Sequence, residues 1–447
     1  MHNKISRRGF IKASSVAAAA TAATGVGMGI ISDAAVAGTA MVNTQGAAPL
    51  PKAGGPRVVV IGAGTSGLTM AKYMKQYNPK LDVVMVEKRA MYSSCFCSNL
   101  WYPDIIGLEY LANHSFLDAA RNGDYLFVSA TCIGLDRTSR KVITDVGYIK
   151  YDFLVVAPGI DYHYPRYGVN DPGDQLILQR DYPGGFMMGT EHVTIKRKIK
   201  DFDGGVFVQN VPPGNYRCLS GPYERACLIA SVFKKEKIKG KVLLLDANPD
   251  VMIKKDGFHA AFDELYKGIL EYLPSSEIVS IDLAKKEINT EFDSYPFDDG
   301  AIYPFVRASR LIENLGLMRK DDAQFQANID DRKYNLIGDE RVYCTGDARP
   351  MPFSKSGNTA QTEAHYVSKL VAARAAGKPD PSYESPNTIC YSMVNADPQE
   401  AISVNAYYKK SGGVWAFDRV KVNEERSMPQ ATQYLEWGKG IYLDMFE

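Results

Sequence analysis

Three glycines, Gly62, Gly64 and Gly67, stand in a G-x-G-x-x-G spacing between the apolar run Val58–Ile61 and a stretch of helical pattern. Glycine at these positions lets a turn close and lets the backbone approach a pyrophosphate. The helix that follows offers N–H donors and a partial positive charge to that anion. Glu87, twenty residues beyond Gly67, ends the next apolar run. A carboxylate there accepts from ribose hydroxyls and repels a 2′-phosphate. The chemistry indicated is dinucleotide binding. Two thiols follow in "SSCFCSN": Cys95 and Cys97, two positions apart. The spacing alone is open to a metal site, a disulfide, a redox pair or a cofactor anchor. A zinc pair needs two more ligands, and no C-x-x-C or H-x₃-H appears.

A third thiol, Cys218, lies in "YRCLSGPYERA", between a strand and a helix expected to start near Pro222. That helix N-terminus and the adjacent Arg217 are expected to lower the thiol pKa and favour thiolate. Glu224 and Arg225 read as a salt bridge at the helix start. Two more segments choose between dinucleotides. "YDFLVVAPGIDY" ends a strand in Ala157-Pro158-Gly159, and "RVYCTGDARPMPFSKSGNTAQ" ends one in Thr345-Gly346-Asp347 before a loop and a helix. In two-domain flavoproteins the first is the crossover beside the dinucleotide. The second sets an Asp on the ribityl chain and a helix N-terminus at the O2 edge of the flavin ring, where its dipole favours the anionic reduced form. Lys355 is either placed to neutralise that edge or a solvated loop lysine. Together the three segments select FAD. The central strand "GGVFVQN" runs into "VPPGNYRCLSGPYERA" with no second glycine turn, so a nicotinamide pyrophosphate has no cradle there.

These residues need positioning elements, and the chain has room for them. It has 447 residues, 45% hydrophobic and 23% charged, enough for two or three domains. The β-α-β unit around Gly62 comprises Val58–Ile61, a helix from about Ser66 to Tyr77, and Val83–Val86. Later β runs are "KVITD", "FLVVAPG", "GVFVQN", "KVLLLD" and "RVYCTGD", with helical runs around 188–200, 222–236, 258–272 and 359–375. This alternation predicts an α/β chain with largely parallel sheets, and the change of texture from about Asp380 a small C-terminal α+β domain. The expected boundaries are FAD-binding over 57–165 and 300–376, a central nucleotide-binding-like domain without a nucleotide motif over 166–299, and an interface domain over 377–447.

Residues 1–37 are read as a twin-arginine export signal. Ser6, Arg7, Arg8, Phe10 and Lys12 precede a weakly apolar run, with a cut expected after Ala37 and a linker over 38–56. The expectation is a folded, periplasmic protein that takes up its cofactor before export. The interrupted Ala/Gly/Thr-rich run is unsuited to a retained membrane span. Its removal takes away four basic residues and one acidic one, leaving 48 and 50, a net charge of −2. The whole chain carries +1, so neither form calls for a nucleic-acid partner. His114, His163, His192, His259 and His365 form no ligand or triad pattern and are read as structural. Seven cysteines, an odd number, leave at least one free or bonded to something else.

With these motifs on the page, the sequence resembles the flavoprotein subunit of flavocytochrome c sulfide dehydrogenase, related to sulfide:quinone oxidoreductase. The resemblance rests on "VVVIGAGTSGLTMAKYM", "SSCFCSN", "VVAPGI", "YRCLSGPYERA", "GDARPMPFSKSG" and "NTICYS...ISVNAYY", and runs from about Arg57 onward. It implies two Rossmann-like dinucleotide-binding domains of the glutathione reductase-like, two-domain flavoprotein kind, and covalent FAD joined through Cys95, the cysteine followed by Ser98-Asn99. It implies Cys218 beside the flavin as half of a redox disulfide attacked by sulfide, and a separate c-type cytochrome bound over the flavin as electron acceptor in a heterodimer. No C-x-x-C-H occurs, so the chain has no c-type haem of its own. The sequence departs from the family at Arg349, where the second redox cysteine is expected. Cys344 lies about 16 Å away along a strand, and Cys227 about 13 Å from Cys218 along a helix. Cys97 or Cys132 can approach only through the fold. Arg349 is left as an anion-binding residue, a stabiliser of the Cys218 thiolate, or a salt-bridging side chain.

The expectation is an exported FAD oxidoreductase acting on sulfide or a related sulfur species and passing electrons singly to a c-type cytochrome. The alternatives are a quinone-linked enzyme, or an electron-transfer subunit that has lost disulfide chemistry. The quinone route needs a membrane-binding C-terminal helix, and "QATQYLEWGKGIYLDMF" is expected to be too short and irregular to be one.

Overall fold

The computed structural model describes residues 46–187 and 189–447. The export signal and most of the linker lie outside the described residues. The first strand, β1 (Arg57–Ile61), is apolar and buried from its second residue on, as a parallel strand covered on both faces must be. It leads through the glycine turn into α1 (Thr65–Tyr77) and back to β2 (Asp82–Glu87). Next come β3 (Leu126–Ser129) and β4 (Phe153–Val156). The chain then builds β5 (Gly204–Val211), α2 (Gly221–Glu236) and β6 (Lys239–Asp246). It returns with β7 (Asp339–Cys344) and α3 (Gly357–Ala375). Three long strands, β8 (Asn387–Ala396), β9 (Gln399–Ser411) and β10 (Val414–Ser427), precede α4 (Met428–Phe446).

The architecture is α/β, and two parallel sheets organise it. The first has the order Asn335–Leu336, β7, β4, β1, β2, β3, with Val58 paired to both Val83 and Phe153. Only the Asn335–Leu336 edge runs antiparallel. The second has the order Leu270–Leu273, β6, β5, Asp299–Ala301, all parallel. Segments 57–156 and 335–375 thus share one body, and 204–301 forms a second sheet. α1 and α3 pack on each other, and Ser368 Oγ reaches the Met70 carbonyl at 3.4 Å. β8–β10 form an antiparallel sheet whose strand β8 lies against α2.

Three local outcomes differ from the sequence expectation. The helix expected over 258–272 stops early: Lys255–Ala260 is helical, Ala261–Leu265 is a π turn, and Leu270–Leu273 is a strand paired to β6. Gly268, at φ +82°, turns the chain between them, and the open sheet edge overrides helical propensity. The segment "QATQYLEWGKGIYLDMF" is a regular helix, started by Ser427, which caps Gln430 N, and by Pro429 in the first turn. It turns Tyr434, Gly438, Ile441 and Tyr442 inward. The end of the expected linker is docked: Ala48 N donates to Tyr148 O at 2.9 Å, at the edge of the small sheet formed by Cys132–Asp136, Lys141–Thr144 and Gly147–Lys150.

Candidate functional site

A cavity of about 390 Å³ runs from the glycine turn after β1 to the N-termini of α2 and α3. At one end Gly62 sits at φ +94°, and a Cβ there would lie 2.4 Å from Ala157 O. A Cβ on Gly67 would lie 1.9 Å from Gly62 O, so α1 can start this close to the strand only with glycine. Gly64 is the N-cap of α1 and brings no side-chain cap, which leaves the first-turn N–H groups for an anion. Glu87 ends β2, buried at the cavity wall. Its Oε2 accepts from Ala63 N at 3.1 Å and its Oε1 from Arg89 Nε at 2.9 Å. Burial works to raise its pKa, but the Arg89 guanidinium and the backbone donors outweigh burial and hold it below the usual carboxylate range. The turn therefore presents bare backbone donors beside an ionised carboxylate, the set a dinucleotide pyrophosphate and ribose require.

The other end is built from loops crossing between the two sheets. Pro158 and Gly159 line the wall after β4, with Gly159 at φ +76° and Arg217 Nη2 3.0 Å from where its Cβ would be. Asp347 Oδ2 accepts from Arg217 Nε at 2.6 Å, and Asp347 O accepts from Lys355 Nζ at 2.9 Å. Cys218 N in turn donates to Lys355 O at 2.8 Å. Lys355 is buried rather than solvated, and burial together with the charge of Arg349 pushes its pKa down to about 7. α3, capped by Ser356, aims the positive end of 19 residues at the same space through Gly357 and Ala360.

The two closely spaced thiols both border the cavity but have different neighbours. Cys95 lines the cavity, and burial raises its thiol pKa against the pull of Arg217 and Arg225. Cys97, at φ 62°, is turned under α4, where a Cβ on Gly438 would lie 2.7 Å from its sulfur. Asn99 is also at the wall, but its amide rivets the loop to α2: Nδ2 donates to Gly221 O at 3.0 Å and Glu224 Oε2 at 2.8 Å, and Oδ1 accepts from Arg225 Nε at 3.1 Å. The expected Glu224–Arg225 salt bridge is absent. The two residues meet through Asn99, Glu224 also accepts from Met393 N at 2.8 Å, and Arg225 holds the Gly184 and Gly185 carbonyls.

Two expectations about chemistry change here. Cys218 lines the cavity at φ 60°, but its thiol pKa is pushed well up rather than lowered. Burial is the main cause, followed by Cys390 and Glu224, while the Arg217 guanidinium is engaged with Asp347 and Phe186 O. Arg349 does not reach the cavity. It is paired with Glu363, both side chains are fully buried, and its remaining donors go to the carbonyls of Met351, Phe353 and Ser354. An anion-binding or thiolate-stabilising role for Arg349 is withdrawn, and the salt-bridging reading stands. Cys227 and Cys344 are buried in the cores, away from the cavity wall, whereas Cys132 lines its Glu87 end. The sequence reading missed Cys390, which lines the Cys218 end on β8. Its one signal was a cysteine inside "NTICYS" with no role assigned. Among the described residues no His/Cys/Asp/Glu group can hold a metal, and no helix is long and apolar enough to cross a membrane.

Comparison with known proteins agrees with this geometry. Residues 193–299 match the model of the central part of the sulfide dehydrogenase [flavocytochrome c] flavoprotein chain, and residues 56–183 match that of pyridine nucleotide-disulphide oxidoreductases. The chain is 39% identical over 46 residues to the sulfide dehydrogenase [flavocytochrome c] flavoprotein chain of Chlorobaculum thiosulfatiphilum, covering 10% of this chain and 96% of that sequence. It is 27% identical over 117 residues to an NADH oxidase of Methanocaldococcus jannaschii, a match spanning 24% of this chain and only 26% of that relative. In fold it is similar to the sulfide:quinone oxidoreductase of Aquifex aeolicus, with TM-score 0.68 and 14% identity over 88% of this chain and 91% of that one. It is also similar to NDH2 of Plasmodium falciparum, with TM-score 0.64 and 10% identity over 87% and 97%. A flavin-dependent oxidoreductase fold, a cradle free of side chains and a sulfur-bearing far wall converge on one conclusion: the chain belongs to the family of sulfide dehydrogenase flavoprotein chains, related to sulfide:quinone oxidoreductase.

Proposed function

We propose that the chain is an FAD-dependent oxidoreductase that oxidises sulfide or a related sulfur species and delivers electrons one at a time to a c-type cytochrome partner. The observation that carries the reading is one continuous cavity with a dinucleotide cradle at one end and Cys218 at the other. When bound, a flavin supplies acceptance of an electron pair and its release in single steps. The residues of this chain do the rest. The first-turn N–H groups of α1 hold the pyrophosphate, and Glu87 takes a ribose hydroxyl. Asp347, held by Arg217, is the partner for the ribityl chain, with Pro158 and Gly159 forming the opposite wall. Lys355 and the N-terminus of α3 place positive charge at one edge of the ring site. Cys95 is the proposed covalent anchor, and Cys218 the thiol at which sulfur substrate is engaged. Export by the twin-arginine route and a periplasmic site of action belong to the same proposal. They suit a protein whose cofactor must be in place before it leaves the cytoplasm.

Anaerobic titration tests the reading. Sulfide bleaches the visible flavin band of the wild-type chain and fails to bleach Cys218→Ser. A wild-type band untouched by sulfide, yet bleached by an artificial donor, favours the electron-transfer subunit instead. The absence of a cysteine at position 349 is the observation on that side. Acid precipitation tests the anchor: flavin stays with wild-type protein and is released from Cys95→Ser. Release from wild type removes the covalent assignment.

A further inference from the structure

Ser220 is the N-cap residue of α2, yet its hydroxyl makes no cap bond. Serine at this position ordinarily bonds an N–H of the first turn. Here Oγ lies 3.0 Å from Cys390 Sγ instead. On the adjoining residue, Gly221, a Cβ would fall 2.8 Å from Cys218 Sγ, so that thiol occupies the space the missing side chain leaves. Two sulfurs from distant parts of the sequence thus flank the first turn of one helix, both on the cavity wall. The Glu224–Met393 bond fixes β8 beside that turn.

A third group completes the arrangement. Lys254, at φ 54° and 2% exposed, directs its ammonium at Ser392 Oγ (2.7 Å), Cys390 O (3.4 Å) and Cys390 Sγ (3.7 Å). Among the described residues it makes no salt bridge. A buried ammonium surrounded by neutral groups is costly unless a negative charge lies close by. The groups beside this ammonium are the Cys390 sulfur and, through its carboxyl, Glu224.

We propose that Cys218 and Cys390 are a redox-active thiol pair, with Lys254 and Ser220 positioning the Cys390 sulfur. The inference rests on the sulfur-oxidising reading above. In the step, the two S–H bonds break, one S–S bond forms, and two electrons and two protons leave. The electrons go to an acceptor of the flavin class bound in the cavity. The protons go to solvent. Cys95 and Cys97 share the cavity wall and are the rival partners, but neither is held to the first turn of α2 as Cys390 is through Ser220.

The test reads bonds rather than turnover. The flavin-loaded full chain is reduced, freed of reductant, and treated anaerobically with diamide, which takes both electrons and both protons. Free thiols are then alkylated and the digest is analysed by mass spectrometry. The expected result is loss of two alkylatable thiols and appearance of a peptide pair joined through Cys218 and Cys390. In Cys390→Ser, with flavin absorbance as the check on folding, Cys218 remains fully alkylatable. Lys254→Met retains the pair but forms it about tenfold more slowly, because the side chain that holds the Cys390 sulfur and Ser392 in place is gone. A Cys218–Cys95 peptide, or a Cys218 that stays free in wild type, overturns the proposal. Sulfide bleaching that survives unchanged in Cys390→Ser also overturns it and leaves the sulfide reading standing. Pair formation in a chain that sulfide does not bleach supports the pair and overturns the sulfide reading.

Discussion

A single buried lysine makes the ring end of the site measurable. Lys355 has its pKa brought down to about 7 by burial and by the neighbouring Arg349 charge. The folded chain therefore releases above pH 7 a proton that the unfolded chain keeps until its ordinary lysine value. Wherever the unfolded state binds more protons, stability rises with pH. The usable window ends near about pH 8.5, where unfolded cysteines ionise while burial keeps folded thiols such as Cys218 protonated, reversing the slope. A Cys95→Ser chain freed of flavin should thus gain thermal stability from pH 7 to 8.5, and adding Lys355→Met should flatten the gain. Equal slopes in both chains would show that Lys355 is not the titrating group. An anion bound beside it reverses the logic, so flavin should also diminish the slope. The identity of this lysine was legible in the sequence but its burial was not. A loop residue between Ser354 and Ser356 gives no sign that Asp347 O and the Cys218 backbone close over it.

At the scale of elements, α4 holds the cysteine loop in place. Cys97 and Tyr110 approach α4 at Gly438, where a Cβ would meet Cys97 Sγ at 2.7 Å and Tyr110 Oη at 2.6 Å. Gly438→Ala should cost about 1–3 kcal/mol through overpacking, read as a lowered urea midpoint, and should loosen the loop that carries Cys95. Gly440→Ala, two residues on in the same helix with open space around it, should be neutral or gain about 0.5–1 kcal/mol from helix propensity. Equal effects at both positions would mean that the loop contact is not what requires Gly438. The β1–α1–β2 unit was legible because a parallel strand covered on both faces reads as a continuous apolar run and its turn demands glycine. The expected helix over 258–272 failed because pairing of Leu270–Leu273 with β6 is a long-range event that local pattern does not encode. Cys390 was missed for a similar reason. It meets Ser220 across 170 positions, and only the packing of β8 on α2 brings them together.

At the scale of the whole molecule, the two parallel sheets have the same general layout, yet among the described residues the glycine turn of close backbone approach lies at the first. A second dinucleotide would have to sit at the C-terminal ends of the strands of the second sheet. β5 ends at Val211 and runs into Pro212 and Pro213, and α2 starts only at Gly221. The intervening turn carries Cys218 and bonds to the Lys355 loop, so the positive end of α2 faces the thiols rather than a second pyrophosphate. At the end of β6, where an acid would take a ribose, Asp246 is fully buried. Its Oδ2 accepts from Tyr223 at 2.6 Å and Tyr272 at 2.9 Å, and its Oδ1 accepts from Asn248 N and Nδ2, both at 2.8 Å. Both carboxylate oxygens are thus each engaged by two donors from within the chain. In anaerobic stopped-flow, NADH should leave the flavin band unchanged over the interval in which sulfide bleaches it. Tyr272→Ala should not open an NADH route, because the glycine cradle would still be missing. Bleaching by NADH at a rate comparable with sulfide would mean that electrons enter through the central sheet, and that Cys218 is not where this chain receives them.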